Sequence, residues 1–563
     1  MTEQAGEVNI ILDALDECQI QDGYRDGGLF PWMRSLLDSP QKNVRLFVTS
    51  RPEQHIKSAI EKWPDRQGII PIQSCLVESD ISEYIHTRVR DSQGLARWHL
   101  RPDIQSEIEC ALNEKAGGMF RWVTCQLDAL ENCLDPLTLR AALRSLPRTL
   151  DETYARTLSN LPQEHRHRTV LILQFLAYSE RPLTTEEAVD AIALDANSKP
   201  RFDRQNRMPI PEEISRYCSS LVVVTKNNEG NSREITTLQL AHFSVKEYLM
   251  SDRLDAAVAE DFKEINARGS IAEVCLAYLL DLDPSLTISE LREICWLAQY
   301  SARYWAENAM VAEISSVKVR SLLKEFFSND DILKISYGLF DHDQLWRWVH
   351  ASDEYEFGAP LYHASRLGLS YPVQLLLHNG ADVNAEGGSY GSALLAASYG
   401  GHEKIVRMLL DQGADVNIKS GVFGTALEAA SRQGEEKIVR MLLDHGGDAN
   451  IESGMLGNAL EAASYGGHEN IVRMLLDYGG DVNIESGMLG NALEAASRRG
   501  HENVARVLLD AGADASTDRE KDRKEKVGAN TNIEGKRMAL PRRRPRSGYA
   551  KTNLRHYISY SEP

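Results

Sequence analysis

Two short stretches near the start of the chain carry residues able to do chemistry. Val8-Asn-Ile-Ile-Leu12 is short, apolar and β-branched, and runs straight into Asp13-Ala-Leu-Asp16-Glu17. An acid at the carboxyl end of a parallel strand sits where an α/β fold opens its ligand crevice. A carboxylate there holds Mg²⁺ beside bound phosphates, and a further acid stands near the attacking water. The competing reading, equally open on these residues alone, is an acidic turn in which Asp13 or Asp16 caps the next helix. A second strand-like run, Asn43-Val-Arg-Leu-Phe-Val48, ends in Thr49-Ser50-Arg51-Pro52. Polar tips on neighbouring strands fit a nucleotide-binding sheet in which Thr49 and Arg51 approach a terminal phosphate.

These residues need a sheet and its surroundings to hold them, and the chain is long enough to supply both. At 563 residues, 42% of them hydrophobic, it is expected to hold several cores. The formal charge of -19 gives no general attraction to nucleic acid. The eight cysteines are scattered without a C-x-x-C pair, which fits free thiols in a reducing compartment rather than disulfides or zinc. No signal-peptide layout and no apolar run of roughly 20 residues is present. No membrane partner is expected.

The acidic run and Thr49-Ser-Arg-Pro52 together resemble the Walker B and sensor 1 elements of NACHT-type STAND ATPases, specifically the fungal NACHT–ankyrin (NLR-like) proteins. That family carries G-x-x-x-x-G-K-[ST] upstream of Walker B, where backbone amides and a Lys cradle the phosphates. No such string occurs in this sequence. The resemblance therefore implies an N-terminally truncated relative, or one whose start is mis-assigned, with a remnant site of Asp13, Asp16, Glu17, Thr49 and Arg51. It also implies a role for His242, which follows a strand-like run and precedes Phe-Ser-Val-Lys-Glu-Tyr-Leu. In the family a His at this place touches the nucleotide β-phosphate; the plainer reading is a local hydrogen bond at a strand-to-helix junction. Asp13 would bind Mg²⁺ only with a P-loop present. No catalytic residue and no cofactor is expected in this chain; ATP, ADP and Mg²⁺ belong to a complete relative.

Beyond the sheet, Ser79-Asp80 is expected to start a helix, followed by helices over 104–116, 119–130 and 137–146. Phe120 and Trp122 are expected in a core. Leu221–Val224 and Ile235–Leu240, after two helices, predict a winged helix with a two-stranded ribbon. Its helix from Thr184 to Ala193 carries Glu186, Glu187 and Asp190, so DNA recognition is not expected. The stretch 253–355 is helical, with no local support for Cys295 as a nucleophile.

The last third repeats with a period of 33 residues: Ala393-Leu-Leu-Ala-Ala-Ser returns at Ala426, Ala459 and Ala492, with a looser copy at Pro360. Gly413-Ala-Asp-Val-Asn closes the second unit, and its relatives close the others. Such a period means a solenoid whose units bury their apolar faces against neighbours, and period, Gly positions and tip together resemble the ankyrin repeat. Ser392, Thr425, Asn458 and Asn491 stand where they can cap the first helix of each pair. Glu428, Glu461 and Glu494 replace the usual His of the helix start, which leaves a tie between repeats in question. They read as a solvated or capping ladder, or as a selector of a basic partner. Tyr390, Phe423, Met455, Leu456, Met488 and Leu489 are candidate partner-binding residues on the tips. The basic run Leu540–Arg546 lies in a tail expected to be disordered, with nuclear targeting as its other reading.

The expected molecule is multidomain. It has a partial α/β P-loop NTPase (NACHT) module over 1–75, a helical lid over 76–150, a winged helix over 151–252 and a helical connector over 253–355. Five ankyrin repeats forming an α-solenoid cover 356–516, and the basic tail covers 517–563. Its expected function is a cytoplasmic protein-binding or signalling scaffold that does not hydrolyse ATP, with a protein partner on the ankyrin surface. The rival is an ATP/ADP-dependent STAND switch that forms homo-oligomers, should a P-loop lie upstream of Met1.

Overall fold

A computed structural model describes residues 8–15, 29–37, 44–51, 53–60, 74–195, 198–218, 220–227, 235–342, 357–421, 424–453, 457–485 and 490–514. Strand β1 (Val8–Leu12) pairs in parallel with β2 (Val44–Val48), in register from Val8↔Val44 to Leu12↔Val48. Helices α1 (Leu29–Leu37) and α2 (Gln54–Ile60) cover one face, where Leu15, Met33 and Ile56 are buried against Leu12, Leu46 and Val48. The other face is open: the register partners Ile11 and Phe47 are 72% and 56% exposed.

A helical block follows: α3 (Ser74–Asp91), α4 (Pro102–Lys115), α5 (Phe120–Leu130) and α6 (Pro136–Arg144). Helix α3 starts at Ser74, so Ser79 and Asp80 sit inside it rather than at its start; nothing in Cys75-Leu-Val-Glu78 interrupts a helix. Trp122 is buried and its indole N–H donates to the Pro147 carbonyl (3.1 Å). Phe120 does not join that core. It is 40% exposed at the first position of α5, edge-on to Tyr84.

Helices α7 (Leu150–Ser159), α8 (Gln163–Tyr178) and α9 (Thr185–Ala193) then pack with a three-stranded antiparallel sheet. Its order is β3 (Leu183–Thr184), β5 (Ile235–Leu240), β4 (Val222–Asn227). Strand β3, missed in the sequence, exists because Thr184 is extended as the N-cap of α9 and lies beside Thr237 of β5. Thr184 and Glu187 form a reciprocal capping box. Helix α10 (Phe243–Leu249) leaves the sheet immediately after β5.

Helices α11 (Ala256–Phe262), α12 (Glu264–Leu280), α13 (Ile288–Ile294), α14 (Ala298–Ala312), α15 (Val317–Phe327) and α16 (Asp330–Leu339) continue the same core. One buried polar network ties them to the sheet region. The carboxylate of Asp190, fully buried, accepts from Arg207 (2.6 and 2.8 Å) and from the Tyr278 hydroxyl (2.6 Å). Arg207 also stacks over Trp296 at 3.9 Å. No helix among the described residues is long and apolar enough to cross a membrane.

The repeat array has five helix pairs. They are α17 (Pro360–Arg366) with α18 (Ser370–His378), α19 (Ala393–Tyr399) with α20 (Glu403–Asp411), and α21 (Ala426–Gln433) with α22 (Glu436–Asp444). The last two are α23 (Ala459–Gly466) with α24 (Glu469–Asp477), and α25 (Ala492–Arg499) with α26 (Glu502–Asp510). Ser392, Thr425, Asn458 and Asn491 each accept from the backbone N–H three residues on, capping these first helices. Ile405, Val406, Leu409 and Leu410 are buried between pairs. Gly413 takes φ +81°, the left-handed value that ends α20 at low cost only for glycine. First helices pack on first helices and second helices on second helices along the array.

The array is joined to the connector by a built joint. The Glu313 carboxylate, at the end of α14, accepts from the backbone N–H groups of Ser370 and Tyr371 (2.9 and 3.1 Å), which open α18. The His363 ring lies 4.1 Å from Tyr337 and 4.4 Å from Phe357, centroid to centroid. His342 hydrogen-bonds the Ala302 carbonyl (3.0 Å).

Candidate functional site

At the strand tips the described candidates do converge. The Thr49 hydroxyl donates to Asp13 and accepts from the Ala14 backbone N–H (2.8 Å). Ala14 adopts φ +52°, a left-handed value that costs a non-glycine residue about 1–2 kcal/mol. The Leu15 and Thr49 backbone bonds then close the two strand ends together. Arg51 reaches the next body of the molecule: its Nη1 donates to both oxygens of Glu247 (2.8 and 2.9 Å) on α10, and its guanidinium lies 5.9 Å from the Phe243 ring centroid. His242 is the N-cap of that helix. Its Nδ1 accepts from the Ser244 backbone N–H (3.1 Å), and Ser244 in turn bonds Tyr154. Burial, then the charges of Arg121 and Arg51, hold His242 below its ordinary pKa. Asp16 and Glu17 lie outside the described residues.

Among the described residues the strand tips bring together the Asp13 carboxylate, the Thr49 hydroxyl and the Arg51 guanidinium, the last engaged by Glu247. A nucleoside triphosphate needs a cradle of backbone amides and a Lys around its phosphates. The residues present do not make that set, and no G-x-x-x-x-G-K-[ST] string exists elsewhere in the sequence. The geometry is that of a joint between sheet and α10.

On the repeats, the structure corrects three of the surface candidates. Tyr390 is 1% exposed, ring-stacked on Tyr399 at 4.8 Å, and its backbone N–H donates to the Tyr362 hydroxyl (3.2 Å). Glu428 and Glu461 are fully buried, because the third position of each first helix faces the stack rather than solvent. They present no ladder to a basic partner. Glu494, in the last pair, is part-exposed and pairs with Arg498 (2.6 Å). Phe423, Met455, Leu456, Met488 and Leu489 lie outside the described residues.

The ties between repeats come from residues that the sequence reading passed over. His402, His468 and His501 each hydrogen-bond, through Nε2, a carbonyl on the first helix of the preceding repeat: Arg366 (3.3 Å), Arg432 (3.1 Å) and Tyr465 (3.1 Å). The tip asparagines form a second ladder. Asn450 accepts from the Asp481 backbone N–H (2.7 Å) and donates to the Gly479 carbonyl (3.0 Å), and Asn417 and Asn483 repeat the pattern. The signal was available, since Asn384, Asn417, Asn450 and Asn483 recur at the same period as the helices.

Comparison with known proteins follows the same division. Residues 361–453 and 456–519 match the family described as ankyrin repeats (3 copies). Residues 154–261 match the winged helix domain of GPI inositol-deacylase, and residues 1–51 match the N-terminal region of nephrocystin 3. A protein of Monascus ruber, the azaphilone pigments biosynthesis cluster protein L, is 34% identical over 366 residues, which span 60% of this chain and 75% of that one. The array is thus made of ankyrin repeats, and the sheet of β3, β4 and β5 lies in a winged helix domain.

Proposed function

We propose, from the premise that this chain belongs to the family of the azaphilone pigments biosynthesis cluster protein L, that it is a non-catalytic protein-interaction scaffold. Its working surface is the ankyrin array. The observation that carries this reading is the joint at Glu313 and His363, which mounts the array on the connector. In the winged helix Glu187 answers Arg181 and Asp190 answers Arg207, so two of the three acids of α9 hold the fold. Its place in the cell is cytoplasmic on this reading, and its finer role is to bring proteins together in signalling. The test is binding of captured partners to the full chain, with the array as the contact. Partners that bind at the sheet tips instead would overturn it.

A second reading is favoured by one observation, the open sheet face at Ile11 and Phe47 beside the Asp13–Thr49 contact. A two-stranded sheet is marginal alone; further strands at its edges, with helices over the open face, would complete a NACHT-like, STAND-type switch. Under this reading the strand tips are part of a nucleotide site that, completed by a P-loop, binds ATP and Mg²⁺ and drives oligomerisation. Micromolar binding of a fluorescent ATP analogue by the present chain would decide for a working nucleotide site.

A further inference from the structure

One residue near the end of each first helix belongs to a row. Arg366, Tyr399, Arg432, Tyr465 and Arg498 recur at intervals of 33 residues, so cations and aromatics alternate along the stacked first helices. Cation–π contacts hold the row in place. The Arg366 guanidinium is 4.9 Å from the Tyr390 centroid and 6.0 Å from that of Tyr399, and Arg432 is 5.7 Å from Tyr465. The Arg499 guanidinium also lies over the Tyr465 ring, 4.4 Å from its centroid. Arg498 is also paired with Glu494, which tempers the charge at that end. On a chain of net charge -19, the strip sets three arginines in one row.

We infer that the strip docks an extended, acidic peptide segment of a partner protein. The inference rests on the scaffold reading above and adds the chemistry of the partner. Helices packed side by side stand about 8–10 Å apart, and an extended chain advances about 3.3 Å per residue. One repeat therefore matches about three residues of such a segment. Held in the polyproline II form, with about three residues per turn, such a segment sets carboxylates about six residues apart against successive arginines and an apolar or aromatic side chain midway, on the same side, against a tyrosine. Nucleic acid is the poorer occupant, because a long polyanion feels the negative field of the whole molecule. A segment of a few acids is attracted locally and escapes that penalty.

The test is selection from a random-peptide display library on the full chain, followed by fluorescence anisotropy with a synthetic probe. The probe carries Glu about every six residues with Phe midway between them. Acidic–aromatic peptides of this spacing are expected to be enriched. The probe should bind at least about tenfold more weakly to the R366E/R432E/R498E variant, and a probe with Lys in place of Glu should bind that variant in preference to the wild type. The milder R432Q/R498Q variant, whose fold is checked by far-UV circular dichroism, should show the same loss in smaller degree. Equal binding of the probe to wild type and variants overturns the inference. Enrichment of peptides without acids overturns it while leaving the scaffold reading intact, and no enrichment of any peptide counts against both. Tighter binding of a single-stranded oligonucleotide than of the probe at the same arginines overturns the choice of a peptide.

Discussion

Replacing Glu313 by Ala should loosen the joint between connector and array. The carboxylate is buried, and burial raises its pKa; the bonds from the Ser370 and Tyr371 backbone N–H groups oppose that shift. Those two groups open α18, whose own N-cap, Leu369, offers no side-chain acceptor. Hydrogen bonds to a charged group contribute about 1.5–3 kcal/mol each, and the two share one acceptor, so about 3 kcal/mol is expected for their joint loss. Glu313→Gln keeps a neutral acceptor and should cost about 1 kcal/mol. Hydrogen exchange of the α18 amides reads this directly: about 3 kcal/mol corresponds to a speeding of exchange on the order of a hundredfold. Amides of α24, two repeats further than α20, should not change. If α18 exchanges within about twofold of wild type in the Ala variant, the carboxylate is not what seats the array.

Three further outcomes are expected. Burial holds His342 at about 4 and His363 at about 3 in the folded chain, against about 6.5 when unfolded. The unfolded state therefore takes up protons first, and the joint loses stability as pH falls from about 6.5 towards 4. The loss should reach about 2 kcal/mol at pH 5 from His342 alone, read as a falling melting temperature that is shallower in His342→Gln. Asp190→Ala leaves the Arg207 guanidinium buried beside Tyr278 without its carboxylate and should destabilise the winged helix and connector by about 3–5 kcal/mol; the pair Asp190→Leu with Arg207→Met should recover most of this in denaturant titrations. Asn450→Ala removes an acceptor and a donor between two tips and should cost about 1–2 kcal/mol, seen as faster exchange confined to the third and fourth tips.

The array was legible because its signal is repeated. The helix pairs begin at Pro360, Ala393, Ala426, Ala459 and Ala492 in both sequence and structure, and the capping residues stand where short polar side chains recur before each. What misled was direction. Glu428 and Glu461 look like surface acids by composition, yet the helix turns their position into the stack. Tyr390 looks like a tip aromatic, yet the loop folds it against Tyr362 and Tyr399. A side chain's facing is set by tertiary packing, which one period cannot report. The same holds at the strand tips. Asp13, Thr49 and Arg51 were visible as a set, but their link to Glu247, 196 residues further on, depends on how the sheet meets α10. The joint at Glu313 left no trace either, since its two partners are backbone groups.

Cross-linking of the full chain to the proteins it captures, with the linked residues mapped by mass spectrometry, tests the central claim most directly. The account predicts that the links fall on the ankyrin array, along the face that carries Arg366, Arg432 and Arg498. Links concentrated at the strand tips around Asp13 and Arg51, or on the winged helix, would contradict it.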